Sequence, residues 1–168
     1  MRPIKNLKPI TLSLNPTYLC NFRCDFCYLT LKQLTDRTLL ELSVLEKRLL
    51  ELEGAGYLIE HVDLYGGEIG LLPSEFIGQL DHLLSQHGDP SIGVNTNLFK
   101  VHPYFLRDHV SVSVSFDFDA RQSYQQVFQN ILRFPRDLAV LILASPRVLS
   151  ADVDEMIRTL NAASNVIT

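Results

Sequence analysis

Short β-like runs alternate with amphipathic helical stretches along the whole chain, and that alternation leaves few folds open. A strand–helix–strand rhythm builds a parallel sheet with crossover helices, an α/β architecture. The clearest strand is Val110–Phe116, where Val112, Val114 and Phe116 alternate with Ser111, Ser113 and Ser115 at period two. Further strands are expected at Ile10–Leu14 (closed by Asn15-Pro16), His61–Tyr65, Ser91–Asn95 and Leu138–Leu143. The last of these is an unbroken apolar run, as in a strand buried on both faces.

Between the strands, a helix is expected over Val44–Glu53, with Ser43 and Glu46 as a capping box and Leu45, Leu49 and Leu52 on one face. Gly54 and Gly56 then stop it. Pro73 opens a second helix with Phe76, Ile77, Leu80, Leu83 and Leu84 inward, and a turn or short helix is expected near Pro103–Arg107. The helix at Gln122–Arg133 turns Tyr124, Val127, Phe128, Ile131 and Leu132 inward. The last helix is capped by Ser150 and buries Val153, Met156, Ile157 and Leu160. Asn165–Thr168 then starts a sixth strand.

A closed eight-unit barrel takes roughly 250 residues, about 31 per unit. The 168 residues here therefore hold five βα units and the start of a sixth strand, a partial barrel whose inward strand residues are expected to fill its core. A sixth strand without cover exposes an edge. The expectation is a single domain over 1–168, either cut short at its C-terminal end or covered there by a partner chain or a second copy.

Formal net charge is −4, and lysine and arginine are not clustered beyond a mildly basic start at Arg2, Lys5 and Lys8. Electrostatics give no case for nucleic acid or an anionic membrane. No apolar run approaches the ~20 residues of a membrane span, and no signal-peptide h-region is present. A cytoplasmic, soluble protein is expected. The three cysteines, all within eight residues, agree with a reducing compartment, since a secreted scaffold spreads an even number along the chain.

Those cysteines are Cys20, Cys24 and Cys27, a C-x3-C-x2-C spacing directly after the first strand. Three thiolates on one short loop can reach three irons of a cubane, leaving the fourth iron open for chemistry. The alternatives are a zinc site completed by His61 or a later histidine, or three inert cysteines. The spacing matches paired zinc knuckles poorly, and Asn21, Arg23 and Asp25 are too polar for a core strand. Histidines 61, 82, 87, 102 and 109 form no metal-ligand spacing of their own, and His82 and His87 are expected at the surface.

The segment Cys20-Asn21-Phe22-Arg23-Cys24-Asp25-Phe26-Cys27 resembles the C-x3-C-x-Φ-C motif of the radical S-adenosylmethionine superfamily, with Phe26 at the aromatic position. The resemblance implies a partial TIM-like barrel, a [4Fe–4S] cluster on the three cysteines, and S-adenosyl-L-methionine bound to the open iron. One electron would then give methionine and a 5′-deoxyadenosyl radical that takes hydrogen from a substrate, an oxidoreductase or lyase chemistry. It places Phe26 by the adenine.

Gly66-Gly67-Glu68 is similar to the family's GGE motif, with Ile69 where proline is common. Paired glycines let backbone approach a ligand closely, and a glutamate can accept hydrogen bonds from an ammonium; the plain alternative is a glycine turn with a solvated glutamate. Val94-Asn95-Thr96-Asn97 is similar to the family's Thr-Asn-Gly segment, so Asn95 and Asn97 face the ribose or carboxylate, or else form an Asx-turn. Ser115 and Asp117 match a Ser-x-Asp pair, with helix capping by Asp117 or Asp119 as the alternative. Arg147 either grips a carboxylate or sits on the surface, and Tyr28 either packs on the cofactor or covers the loop. All these candidates follow strands, on the rim where barrel chemistry sits.

The resemblance leaves the substrate open, with the single cluster and compact length leaning toward a small molecule or nucleotide over a peptide. Asn-Pro-Thr before the loop is similar to enzymes acting on peptide side chains, and Cys-Asn-x-x-Cys-x-Phe-Cys is similar to antiviral nucleotide dehydratases acting on a nucleotide or small molecule. A reductase such as flavodoxin or ferredoxin is implied as electron donor. No cysteine follows Cys27, so auxiliary clusters are absent here or lie on sequence not present. The competing reading is a cluster- or zinc-binding interaction subunit without activity of its own.

Overall fold

The computed structural model describes residues 7–167, the side chains of Asp119 and Val153 excepted. The expectations for Arg2, Lys5 and Thr168, the capping by Asp119 and the inward Val153 lie outside the described residues.

Six strands lie parallel in one sheet in sequence order: β1 (Lys8–Leu14), β2 (Tyr57–Leu64), β3 (Ser91–Thr96), β4 (Val110–Ser115), β5 (Leu138–Leu141) and β6 (Val166–Ile167). β1 and β6 do not pair, so the sheet is open. The crossovers are α1 (Leu31–Leu34) with α2 (Leu42–Gly54), then α3 (Ser74–Gln86), α4 (Tyr124–Arg133), and α5 (Pro146–Leu149) with α6 (Val153–Asn161). A 3-10 turn at Pro103–Leu106 joins β3 to β4. Right-handed connections between sequential parallel strands put the helices on one face.

The core lies on that face. Ile59, Val62 and Leu64 of β2, Ile92 and Val94 of β3, and Val110, Val112 and Val114 of β4 pack with Leu45, Leu49, Ile77, Leu80, Leu84, Val127 and Ile131 from the helices. The opposite, concave face carries Thr11, Ser13, His61, Asp63, Gly93, Asn95, Ser111, Ser113 and Ser115, half-buried or exposed. The inward strand residues therefore do not fill a barrel core. The apolar half of each alternation is taken by the helices, and small polar groups are left inside.

β2 begins earlier than its periodicity suggests. Ile10 pairs with Ile59 but Thr11 with His61, so Glu60 is an extra residue that breaks the alternation. The capping box at Ser43 and Glu46 does not form. Helix α2 starts at Leu42 with no side-chain cap, and the Ser43 hydroxyl donates to Glu41 instead. A capping box does form at Thr30 and Gln33, on α1.

Two further corrections concern the C-terminal third. β5 stops at Leu141, and Leu141, Ile142 and Leu143 are 38–49% exposed rather than buried on both faces, because β6 pairs only with Leu138 and Ala139. Asp152, not Ser150, caps α6 by accepting from Glu155 N–H, while Ser150 ends α5. Ile157 and Leu132 are exposed, whereas Phe134 is buried. His87 is also buried, its Nδ1 2.9 Å from Glu53 on α2.

Candidate functional site

The cysteine loop is held by backbone before any side chain acts. Beyond β1 and β2 the two segments stay zipped: Tyr65 N donates to Leu14 O (3.0 Å), Gly67 N to Thr17 O (2.9 Å) and Glu68 N to Leu19 O (2.8 Å). This explains the two glycines. Gly66 has φ +132°, and a Cβ there would stand 2.5 Å from Thr17 O; a Cβ on Gly67 would stand 2.2 Å from Leu19 O. The close approach the glycines permit is to the chain's own loop. At the loop's base Thr17 bridges Leu39 and Leu40 N donates to Pro16 O (2.9 Å); within it Cys20 N donates to Leu34 O (3.1 Å). Phe22 is buried edge-on to Phe99, with ring centroids 5.7 Å apart.

The loop faces the C-terminal ends of β2, β3 and β4 across a cavity of about 370 Å³. Cys20, Cys24, Cys27 and Phe26 line one wall, and Gly66, Gly67, Glu68, Asn95, Asn97 and Ser115 line the other. Phe22, Leu29 and Leu34 give it an apolar side. A second depression of about 430 Å³ between α4 and α6 carries none of the candidate site residues.

All three cysteines are free and half-buried. Burial pushes the Cys20 and Cys24 thiols up, opposed at Cys20 by the Phe22 N–H (3.4 Å from Sγ) and at Cys24 by Arg121. Among the described residues no three His, Cys, Asp or Glu side chains converge as a single-ion site, and no histidine lines the cavity. His61, the first candidate to complete a zinc site, lies instead on the concave face between Ser91 (2.7 Å) and Asp63 (3.1 Å). The donor set is thus three spaced thiols with no nitrogen partner, which suits a sulfur-bridged cluster of several irons better than one zinc.

Glu68 is 2% exposed and braces two strand ends. Its Oε1 accepts from Gly70 N (2.7 Å) and the Thr96 hydroxyl, and its Oε2 accepts from Asn97 N (2.7 Å). Burial pushes its carboxyl above the usual range, against the three hydrogen bonds. It is not the solvated glutamate of a glycine turn. Asn97 donates to Asn21 Oδ1 (2.9 Å), tying β3 to the cysteine loop, and accepts from Phe99 N (3.0 Å) as an Asx-turn does. Asn95 is exposed and Ser115 half-buried on the concave face. Beside Gly66, the buried Oδ1 of Asn15 has no hydrogen-bond partner.

Asp117 is buried but is not among the cavity residues. Its Oδ2 accepts from Nε (2.9 Å) and Nη2 of Arg121, and its Oδ1 accepts from Leu143 N. It makes no cap for the 3-10 turn Phe118–Ala120. Arg121 does line the cavity, with Nη1 3.6 Å from Cys24 Sγ and its guanidinium 5.3 Å from the Phe26 ring centroid. Sequence reasoning missed Arg121; its Asp-x3-Arg spacing carries no geometry outside a regular helix. Arg147 is exposed on α5 and is not among the residues lining the cavity, and Tyr28, which does line it, is 75% exposed.

No family model and no curated protein matches this chain. Solved structures do match its fold. Histidine-tagged anSMEcpe with bound AdoMet superposes with a TM-score of 0.66 at 16% identity, covering 92% of this chain and 47% of that one. Streptococcus suis SuiB bound to precursor peptide SuiA gives 0.63 at 16% identity, over 92% and 36%. Native anSMEcpe with bound AdoMet and Cp18Cys peptide gives 0.64 at 16%, over 92% and 46%. The chain spans less than half the length of these proteins. What is shared at this identity is the fold, an open parallel sheet with alternating helices.

Proposed function

We propose that this chain is the core of a radical S-adenosylmethionine enzyme, in which Cys20, Cys24 and Cys27 bind three irons of a [4Fe–4S] cluster and the opposite wall seats S-adenosyl-L-methionine. The observation that carries this reading is convergence: residues scattered from Cys20 to Ser115 in sequence line one cavity at the strand ends. The same fold in anSMEcpe is described with bound AdoMet, which supports the cofactor. When bound, cluster and cofactor supply one-electron chemistry that ends in hydrogen abstraction from a substrate carbon.

The chain's own residues prepare that chemistry. Phe22, Leu29 and Leu34 keep water from the sulfur wall. Glu68, held by three donors, keeps a lone pair on Oε2 for an ammonium, and Asn95 and Ser115 offer hydrogen bonds from the facing rim. Phe26 offers a flat apolar surface for an adenine. The substrate we favour is a peptide side chain. The concave face bears hydroxyls, an amide, Asp63 and a single histidine, His61, rather than the basic cluster a triphosphate needs, and SuiB and anSMEcpe are described with peptides. A flavodoxin- or ferredoxin-type reductase is the matching electron donor.

Anaerobic reconstitution tests the reading. Iron and sulfide in equal amounts, and 5′-deoxyadenosine released from S-adenosylmethionine under dithionite and lost in Cys24→Ala, are expected. One zinc per chain and no iron would overturn it. The exposed apolar side chains Leu141, Ile142, Leu143, Leu149 and Ile167 favour a second reading, a cluster-bearing subunit completed by a partner or a second copy. Iron without 5′-deoxyadenosine, together with a dimer in sedimentation, would select it.

A further inference from the structure

We propose that Arg121 is a positioning residue that raises the reduction potential of the cluster by holding a fixed cation against the Cys24 sulfur. This rests on the cluster reading above and concerns a residue that no motif marks.

The loop from β4 to α4 is bent twice against ordinary backbone preference, at Phe118 (φ +48°) and Ser123 (φ +53°). Non-glycine residues stay in that region only where their surroundings over-determine it. Between the two bends the loop grips the cysteine segment at consecutive residues. Arg121 Nη1 meets Cys24 Sγ at 3.6 Å, and Gln122 Oε1 accepts from Arg23 N at 2.8 Å. Arg121 cannot swing away, because Asp117 takes its Nε and Nη2 while Leu143 N holds Asp117. The Phe26 ring lies against the guanidinium. Among the described cavity residues it is the only cation.

A one-electron reduction adds negative charge to the cluster and its thiolates. A cation fixed at one sulfur stabilises that reduced state, and hydrogen bonds to sulfur are a recognised lever on cluster potential. Arginine suits the place better than lysine because its planar fork serves Asp117 and the sulfur together. The electron comes from an external reductant, and no bond is made or broken.

The test uses wild type, Arg121→Gln, Arg121→Met, Arg121→Lys and Gln122→Ala, reconstituted anaerobically without S-adenosylmethionine. Each is assayed for iron and sulfide and titrated with dithionite while the reduced cluster is followed by electron paramagnetic resonance. Arg121→Gln is expected to lower the one-electron reduction equilibrium tenfold, about 59 mV. Arg121→Lys should fall between it and wild type, and Gln122→Ala should stay at the wild-type value. If Arg121→Gln loads poorly, the equally uncharged Arg121→Met decides, since a wild-type midpoint there overturns the proposal. An unchanged midpoint with weakened S-adenosylmethionine binding would overturn it too, leaving Arg121 a cofactor ligand only. An equal fall in Gln122→Ala would overturn it by tracing the effect to a loosened loop. Wild-type protein that takes up no iron would instead sink the cluster reading.

Discussion

Along β4 the side chains run Val110, Ser111, Val112, Ser113, Val114, Ser115, and the two sets face opposite surroundings. The valines are at most 4% exposed under the helices, while the serines line an open concave face. In a closed barrel both faces are buried and the interior is packed with bulky branched residues. Here cohesion comes from the helix side alone. That frees the other side for small polar groups, which leave room at the rim for the cavity. The difference teaches that an open sheet can separate what holds it together from what it presents.

The separation can be broken from either side. The largest effect is expected on the covered face, where Leu49→Ala should cost about 2–5 kcal/mol of stability in urea denaturation. Leu49 is fully buried between α2 and the sheet. Next comes the seam between the faces. Gly67→Ala drives a Cβ into backbone, 2.2 Å from Leu19 O, and should cost about 1–3 kcal/mol. It should also displace the cysteine loop, read as reduced iron uptake.

The covered face also has a polar hub, Asp81 on α3. It accepts from the Tyr104 hydroxyl (2.7 Å) and pairs with Arg107 and with His109 (2.8 Å). Burial works against its charge, but these partners prevail and hold its carboxyl below the usual range. For a depressed acid the stabilisation is present above the unfolded value and lost as pH falls through the folded one. Asp81→Asn should therefore cost about 1–2 kcal/mol at neutral pH, and the difference from wild type should shrink below pH 3.8. The smallest effect is expected on the concave face, where Ser113→Ala should change stability by less than about 0.5 kcal/mol. A large loss there would mean that the polar face is structural after all.

What could be read from residue order was whatever local periodicity carries. The strand centres and α3 follow from it; of the candidates, Asp117 and Arg147 are not among the residues gathered around the cavity. What failed had non-local causes. The first half of β2 was hidden by the bulge at Glu60, which puts Ile59 and Val62 on one face three residues apart. Ser43 and Glu46 spell a capping box, but the helix starts one residue before Ser43, so the hydroxyl has no N-cap geometry to use. The run Leu138–Leu143 looks doubly buried, yet burial depends on a neighbour that pairs with only two of its residues. At the site the cysteines and glycines were legible, while the glycines' partner (the loop backbone at Thr17 and Leu19) was not. Arg121 was invisible because its contacts join two distant segments, Asp117 on its own loop and Cys24 and Phe26 on the cysteine loop.

The neck of the cysteine loop has a consequence for what its closure depends on. Between Thr17 and Leu39 the chain makes a long excursion, fastened at its base by a strand bridge and by the Leu40–Pro16 backbone bond. No sulfur takes part in that closure. In a zinc finger the metal is what brings its ligands together, so loading and folding are one event. Here backbone hydrogen bonds close the base of the loop that carries the thiols, and Phe22 is buried edge-on to Phe99 within it. The closure owes nothing to the sulfurs, so Cys24→Ala is expected to leave it in place, read as unchanged amide-exchange protection at Leu40.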